Sequence, residues 1–237
     1  KPGDVIISVA SKSGTTWMLF CAHQIRTKGS DEIPFEDVNI ATPWIGNKHL
    51  PGQTWQHFKE LLNTTVLDDG SMLKDHWDNK AYPFRIFKSH FGPKVENGSL
   101  DDVLPVKDYP DVKFIGMARN SMDVVASFYT FFAKHRPEFK KMWGGFPPSY
   151  EDKMTALKDF LPGGLLEYLY FGYVKSWWKV RHEKNVLLLH YSDMKKDLDG
   201  GVRKLADFLN VKLTDEEHAR VVQKCQFSYM KKHEDKF

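Results

Sequence analysis

The 237-residue sequence contains only two cysteines, Cys21 and Cys225. Two thiols make no disulfide framework. They suit a reducing compartment, which points to the cytoplasm, and read as small buried apolar side chains. Long hydrophobic runs are also missing: no stretch approaches the ~18 apolar residues of a membrane-spanning helix. The opening Lys1-Pro2-Gly3-Asp4 has neither a signal-peptide shape nor an initiator Met, so the chain is expected to be part of a longer one with incomplete termini. An excess of charge of one sign is absent as well. Thirty-four Lys+Arg stand against 31 Asp+Glu, a net +3. That balance excludes a bulk nucleic-acid binder, which needs a strong basic stripe, but leaves room for a local anion pocket. The chain shows no internal repeat, no low-complexity tract and no obvious metal-ligand cluster, so no metal is expected.

Apolar residues make up 41% and charged residues 27%, ordinary globular usage. A chain of this length buries roughly 70–75% of its unfolded surface, and one domain over 1–237 is expected. Residues 4–10 (DVIISVA) read as a buried strand and 15–26 (TTWMLFCAHQIR) as a buried helix, with a tight small-residue loop between them. The alternation continues: strands at 84–88, 112–118 and 186–191, and helices at 121–135, 196–209 and 214–223. Asn210 is a stop signal, and Thr214 with Glu217 forms a capping-box pair. Short apolar strands separated by helices imply an α/β fold with a central, mostly parallel sheet flanked by helices. Two segments, 30–52 and 136–164, are rich in Pro, Gly and aromatics and read as binding loops.

The strongest local signal is Ser11-Lys12-Ser13-Gly14-Thr15-Thr16-Trp17 between strand and helix. Small residues let the backbone approach an anion, and the helix start supplies free N–H groups and a positive dipole end. Lys12 adds a full charge; Ser13, Thr15 and Thr16 add hydroxyls. The loop is P-loop-like, but no Gly opens it and its Lys precedes the Gly, unlike GxxxxGK[ST]. Lys88-Ser89-His90 closes the next strand, where parallel sheets place active sites. His90 could take a proton near neutral pH, and Lys88 could hold developing negative charge. Taken alone, His90, one of ten histidines, would more often be structural. Arg119 ends the strand 112–118, where a nucleotide hydrolase would place an acid. It offers a bidentate grip on phosphate, and Ser127 follows two turns into the next helix.

Together SKSGTTW, FKSH, MARNSMDVVASFY, LLLHYSDM and QFSYMKK, in this order from Ser11 to Lys232, resemble the cytosolic PAPS-dependent sulfotransferases. That family moves a sulfuryl group from 3′-phosphoadenosine 5′-phosphosulfate (PAPS) to a hydroxyl or amine of a small-molecule acceptor, leaving adenosine 3′,5′-bisphosphate (PAP). The resemblance implies that Lys12 neutralises the bridging oxygen, Ser13 to Thr16 with Gly14 cradle the 5′-phosphate, and Trp17 packs on the adenine. It also implies that Lys88 stabilises the sulfuryl oxygens and His90 is the base. Arg119 and Ser127 would hold the 3′-phosphate, and Tyr191 and Phe227 the adenine. Trp44 and Phe131 would contact the acceptor. Phe139, Trp143, Phe146 and Tyr150 would extend an apolar wall.

The sequence departs from the family pattern in places. Ser89 replaces a usual Thr, Ala10-Ser11 stand where Tyr-Pro often do, and Cys225 occupies the place of a nucleotide-contacting hydroxyl. The family's basic RKG loop and its dimerisation motif would fall beyond Phe237, which leaves a homodimer open. Two other readings remain: a kinase using Mg-ATP in the same loop, and a nucleotide-binding relative without turnover.

Overall fold

The computed structural model describes residues 1–31, 37–46, 50–98, 102–164 and 166–237. In chain order the first elements are β1 (Val5–Val9), α1 (Thr15–Arg26), α2 (Val38–Ala41), α3 (Trp55–Thr64) and α4 (Leu73–Trp77). Next come β2 (Ile86–Ser89), β3 (Gly92–Pro93), β4 (Asp102–Leu104), β5 (Lys113–Ala118), α5 (Ser121–Ala133), α6 (Pro137–Met142) and α7 (Lys153–Phe160). A π-helical turn (Tyr168–Gly172) runs into α8 (Tyr173–Lys179), followed by β6 (Val186–His190), α9 (Tyr191–Lys196), α10 (Leu198–Leu209), α11 (Asp215–Cys225) and α12 (Phe227–Lys232).

Four strands form a parallel sheet in the order β2-β1-β5-β6. The period-two geometry of a strand sends alternate side chains to opposite faces. Val5, Ile7 and Val9 of β1, with Ile115 and Met117 of β5, pack against Met18 and Ile25 of α1, Leu205 of α10 and Val221 of α11. Phe114 faces the other way, into Phe128 of α5 and Tyr173 and Trp177 of α8. Both faces are therefore covered, which is why the strands read as continuous apolar runs. Truncating a fully buried residue such as Leu205 to Ala would cost about 2–5 kcal/mol.

The expected α/β architecture is thus the observed one. Helix α1 has the expected bounds, and α10 ends at Asn210, which adopts the left-handed conformation (φ 60°). Thr214 and Glu217 form the reciprocal capping box of α11. The loop expected over 136–164 is partly helical, holding α6 and α7. Of the other expected loop, 30–52, residues 32–36 and 47–49 lie outside the described residues; within the rest, α2 forms, capped by Asp37. Residues 43–45 add to the free edge of β2: Lys88 N donates to Pro43 O and Ile45 N to Lys88 O, both at 2.9 Å.

Parallel strands all end on one side. The register pairs Ser8 with Ser89 and Gly116, and Ala118 with His190. Ser11 to Gly14, His90, Arg119 and Tyr191 therefore emerge along one edge.

Candidate active site

The β1–α1 turn is built around two left-handed residues, Lys12 (φ 63°) and Gly14 (φ 96°). Ser13 N donates to Ala10 O at 3.0 Å, which folds the loop back on the strand end. Gly14 is needed twice over: its φ disfavours a side chain, and a Cβ there would lie 2.9 Å from the Tyr191 ring and 3.1 Å from Met117 Cε. Among the described residues, no acceptor meets the N–H groups of Gly14, Thr15 and Thr16, and the buried Ser13 Oγ has no partner. The first turn of α1 carries no acid. Orphaned donors, a buried hydroxyl and the positive end of a twelve-residue helix fit an anion such as phosphate.

Two lysines flank this cradle. Lys12 Nζ lies over the Phe131 ring at 4.1 Å, and Lys88 Nζ over the Trp44 ring at 4.3 Å. Neither makes an ion pair among the described residues. Burial lowers the Lys12 ammonium below its usual range, and Lys134 adds to that. Burial also lowers Lys88; Asp37 pulls it back up and Lys12 pushes it further down. The repulsion that Lys12 exerts on Lys88, only partly offset by Asp37, is one that a bound anion would relieve.

His90 lies within reach of both charges. Its Nδ1 is 2.7 Å from Val9 O, and a carbonyl can only accept, so Nδ1 carries the proton and donates. Nε2 is thereby left with its lone pair. Burial pushes the imidazole down to about 4, against the opposing pull of the Val9 carbonyl, while Lys88 and Lys12 lower it further. At neutral pH the ring is an unprotonated base. The edge of Trp44 meets it at 4.9 Å between centroids.

Arg119 leaves β5 beneath the cap of α5, where Asn120 Oδ1 accepts from Met122 N and Asp123 N. Its guanidinium lies 4.8 Å from the centroid of the Tyr191 ring and donates from Nε to Asp123 Oδ2 at 3.1 Å. Asp123 was not singled out from sequence, although an Arg four residues before an Asp is a readable pair. Ser127 lies a further four residues on, so spacing puts it on the same helix face as Asp123.

Beyond the cradle opens a cleft of about 990 Å³, lined among others by Gly14, Thr16, Trp17, Tyr191, Met194 and Phe227. Trp17 is fixed by a 2.8 Å bond from Nε1 to Cys225 O and by edge contact with Tyr191 at 5.3 Å. Phe227 is 79% exposed at the mouth. Cys225 takes no part in the lining. Its side chain is fully buried against Cys21, and burial pushes the thiol up. Both cysteines are free.

The aromatics of 131–150 divide. Phe131, His135, Phe139 and Trp143 form a ladder with centroid spacings of 4.6, 5.2 and 6.2 Å, starting at the ring under Lys12. Phe146 packs on Phe132 at 6.0 Å. Tyr150 belongs elsewhere: its hydroxyl donates to Asp159 Oδ2 at 2.7 Å and its ring packs on the core cluster that holds Trp177. Among the described residues, no group of His, Cys, Asp and Glu could hold a metal ion, and no helix is long and apolar enough to cross a membrane.

Residues 2–236 match the sulfotransferase domain family. The chain is 31% identical over 234 residues to human sulfotransferase 1E1, and 30% identical over 239 residues to mouse sulfotransferase 1 family member D1. In both cases it covers 98% of this chain and 67% of the relative. Mouse sulfotransferase SULT7A1, solved in complex with PAP, has the same fold: TM-score 0.61, 22% identity, covering 98% of this chain and 67% of that one. The chain thus spans about two thirds of these relatives, and it belongs to the sulfotransferase family.

Proposed function

We propose that the chain moves the sulfuryl group of PAPS to a hydroxyl or amine of a small, apolar or aromatic acceptor, with His90 as general base. The reading is carried by one observation. An imidazole with Nδ1 tied to Val9 O stands beside two lysines that make no ion pair among the described residues, close to the N-terminus of α1.

The donor supplies an activated sulfuryl group, and PAP is its product. In this scheme the N–H groups of Gly14, Thr15 and Thr16, with the hydroxyls of Ser13, Thr15 and Thr16, hold the 5′-phosphate. Trp17, Tyr191 and Phe227 enclose the adenine in the 990 Å³ cleft. Arg119 and Ser127 take the 3′-phosphate, which would draw the guanidinium from Asp123. His90 Nε2 accepts the acceptor's proton as the new oxygen–sulfur bond forms and the bridging bond to the phosphate breaks. Lys12 neutralises the charge arriving on the bridging oxygen, and Lys88 the sulfuryl oxygens. Such contacts contribute about 2.7–4 kcal/mol each when aimed at developing charge. Trp44 and Phe131 touch His90 and Lys12 respectively, which favours them as acceptor walls. Free buried thiols fit a reducing compartment, and we place the protein in the cytoplasm.

The test is transfer of labelled sulfate from PAPS to a panel of phenols, alcohols and amines, repeated with His90→Ala. Titration calorimetry should show PAP binding in the absence of divalent metal. Tight Mg-ATP binding without PAP binding, or a fully active His90→Ala, would overturn the assignment.

A further inference from the structure

We infer that three buried hydroxyls, those of Ser8, Ser89 and Tyr173, form a positioning brace that holds His90 in its Nδ1–H tautomer with Nε2 toward the acceptor. The inference rests on the reading of His90 as the base.

Ser8 and Ser89 are fully buried, and Ser8 is the only polar residue in the strand Val-Ile-Ile-Ser-Val. A sheet covered on both faces gains nothing from hydroxyls as such. A buried hydroxyl is tolerated when it is bonded, and here each bond falls beside His90. Ser8 Oγ donates to Phe91 O at 2.6 Å, and Phe91 N donates to Ser89 Oγ at 3.0 Å. Both polar groups of the residue after His90 are thus tied to side chains on the two paired strands. On β1, Ser8 O accepts from the buried Tyr173 hydroxyl, and the next carbonyl, Val9 O, accepts from His90 Nδ1. Tyr173 arrives from α8, directly after the π-helical turn, a departure from regular helix of a kind frequent at functional sites. Desolvation pushes its phenol far up, so it stays a donor across the working pH range.

The brace fixes the backbone on both sides of the imidazole. The Val9–Ala10 peptide is also held by the sheet, Ala10 N donating to Met117 O at 3.0 Å; without the brace the peptide at Phe91 could turn, and Nε2 would lose its aim while the phosphate cradle stayed intact.

The test uses Ser8→Ala, Ser89→Ala and Tyr173→Phe, each removing a single oxygen, with folding checked by circular dichroism and melting. In ¹⁵N-resolved NMR the parent's His90 should show protonated Nδ1 and bare Nε2, and the variants a mixture of tautomers. The kcat should fall about tenfold to a hundredfold with PAP affinity within about twofold of the parent. Ser89→Thr, which keeps the hydroxyl, should restore both the tautomer and kcat. Folded variants with the parent's tautomer and kcat would overturn the brace, as would equal losses of kcat and PAP affinity. Should the parent transfer sulfate to nothing, the functional reading fails, while the tautomer comparison still decides the brace.

Discussion

Replacing Gly14 by Ala tests the cradle through two separable physical effects. The first is conformational: at φ 96° an L-residue is strained, which costs about 1–2 kcal/mol. The second is steric. The new methyl would stand 2.9 and 3.0 Å from two Tyr191 ring carbons and 3.1 Å from Met117 Cε, and overpacking of this kind costs about 1–3 kcal/mol. Together they amount to about 2–5 kcal/mol. For a chain of this size, at about 2–4 °C per kcal/mol, Tm should fall by about 4–20 °C. Gly145 provides the matched control. Its φ is 93°, but nothing lies within 4 Å of its Cβ position, so Gly145→Ala should show the conformational cost alone. The assay is thermal melting of both variants with and without PAP. Gly14→Ala should melt lower than Gly145→Ala, and PAP should stabilise it less than the parent, because Tyr191 is pushed into the cleft. Equal Tm values for the two variants, with undiminished stabilisation by PAP, would refute the reasoning.

Other outcomes follow from the same geometry. His90→Ala should lower the transfer rate about 10²–10⁴-fold and leave PAP affinity near the parent's, as read by kinetics and calorimetry. Arg119→Met should weaken PAP binding by about tenfold to a hundredfold, the range of one charge-assisted bond, with Asp123 left unpaired. His90, held at about 4 in the free protein, should titrate higher once PAP sets negative charge beside Lys12 and Lys88, which ¹H–¹⁵N titration would show. Because its folded value lies below the ordinary 6.5, unfolding takes up a proton in this window. Its contribution to stability should be complete above about 6.5 and fall away toward 4, measurable as Tm against pH; His90→Gln should make that slope shallower, the remainder including the buried His23, which desolvation also holds well below the ordinary histidine range. Thr214→Ala should cost about 1 kcal/mol by opening the capping box, visible as a small drop in the urea midpoint.

What could be read from sequence follows from which interactions are local. Helix α1, the stop at Asn210 and the Thr214–Glu217 cap are set by side chains within a few residues, and the spacing states them. The alignment of Lys12, His90, Arg119 and Tyr191 was legible because parallel strands bring their carboxyl ends to one edge. Helix α3 was legible as well: Trp55, Phe58, Leu61 and Leu62 recur at i, i+3, i+6 and i+7, although only Leu62 of them is buried. Helices α6 and α7 hid among Pro and Gly, being only six and eight residues long. Tyr150 was expected in the acceptor wall because an aromatic in a loop shows nothing of its partner, here Asp159. The bond from Tyr173 to Ser8 joins positions 165 residues apart, and no local pattern carries it.

The proposed transfer depends most on the β1–α1 turn gripping the donor with the imidazole facing it. A crystal structure with PAP tests this directly. The 5′-phosphate should lie on the N–H groups of Gly14, Thr15 and Thr16, the adenine between Trp17 and Phe227, and His90 Nε2 should be turned toward that phosphate across the acceptor space. Nucleotide bound away from this turn, or His90 swung out to bulk solvent with its Val9 contact broken, would contradict it.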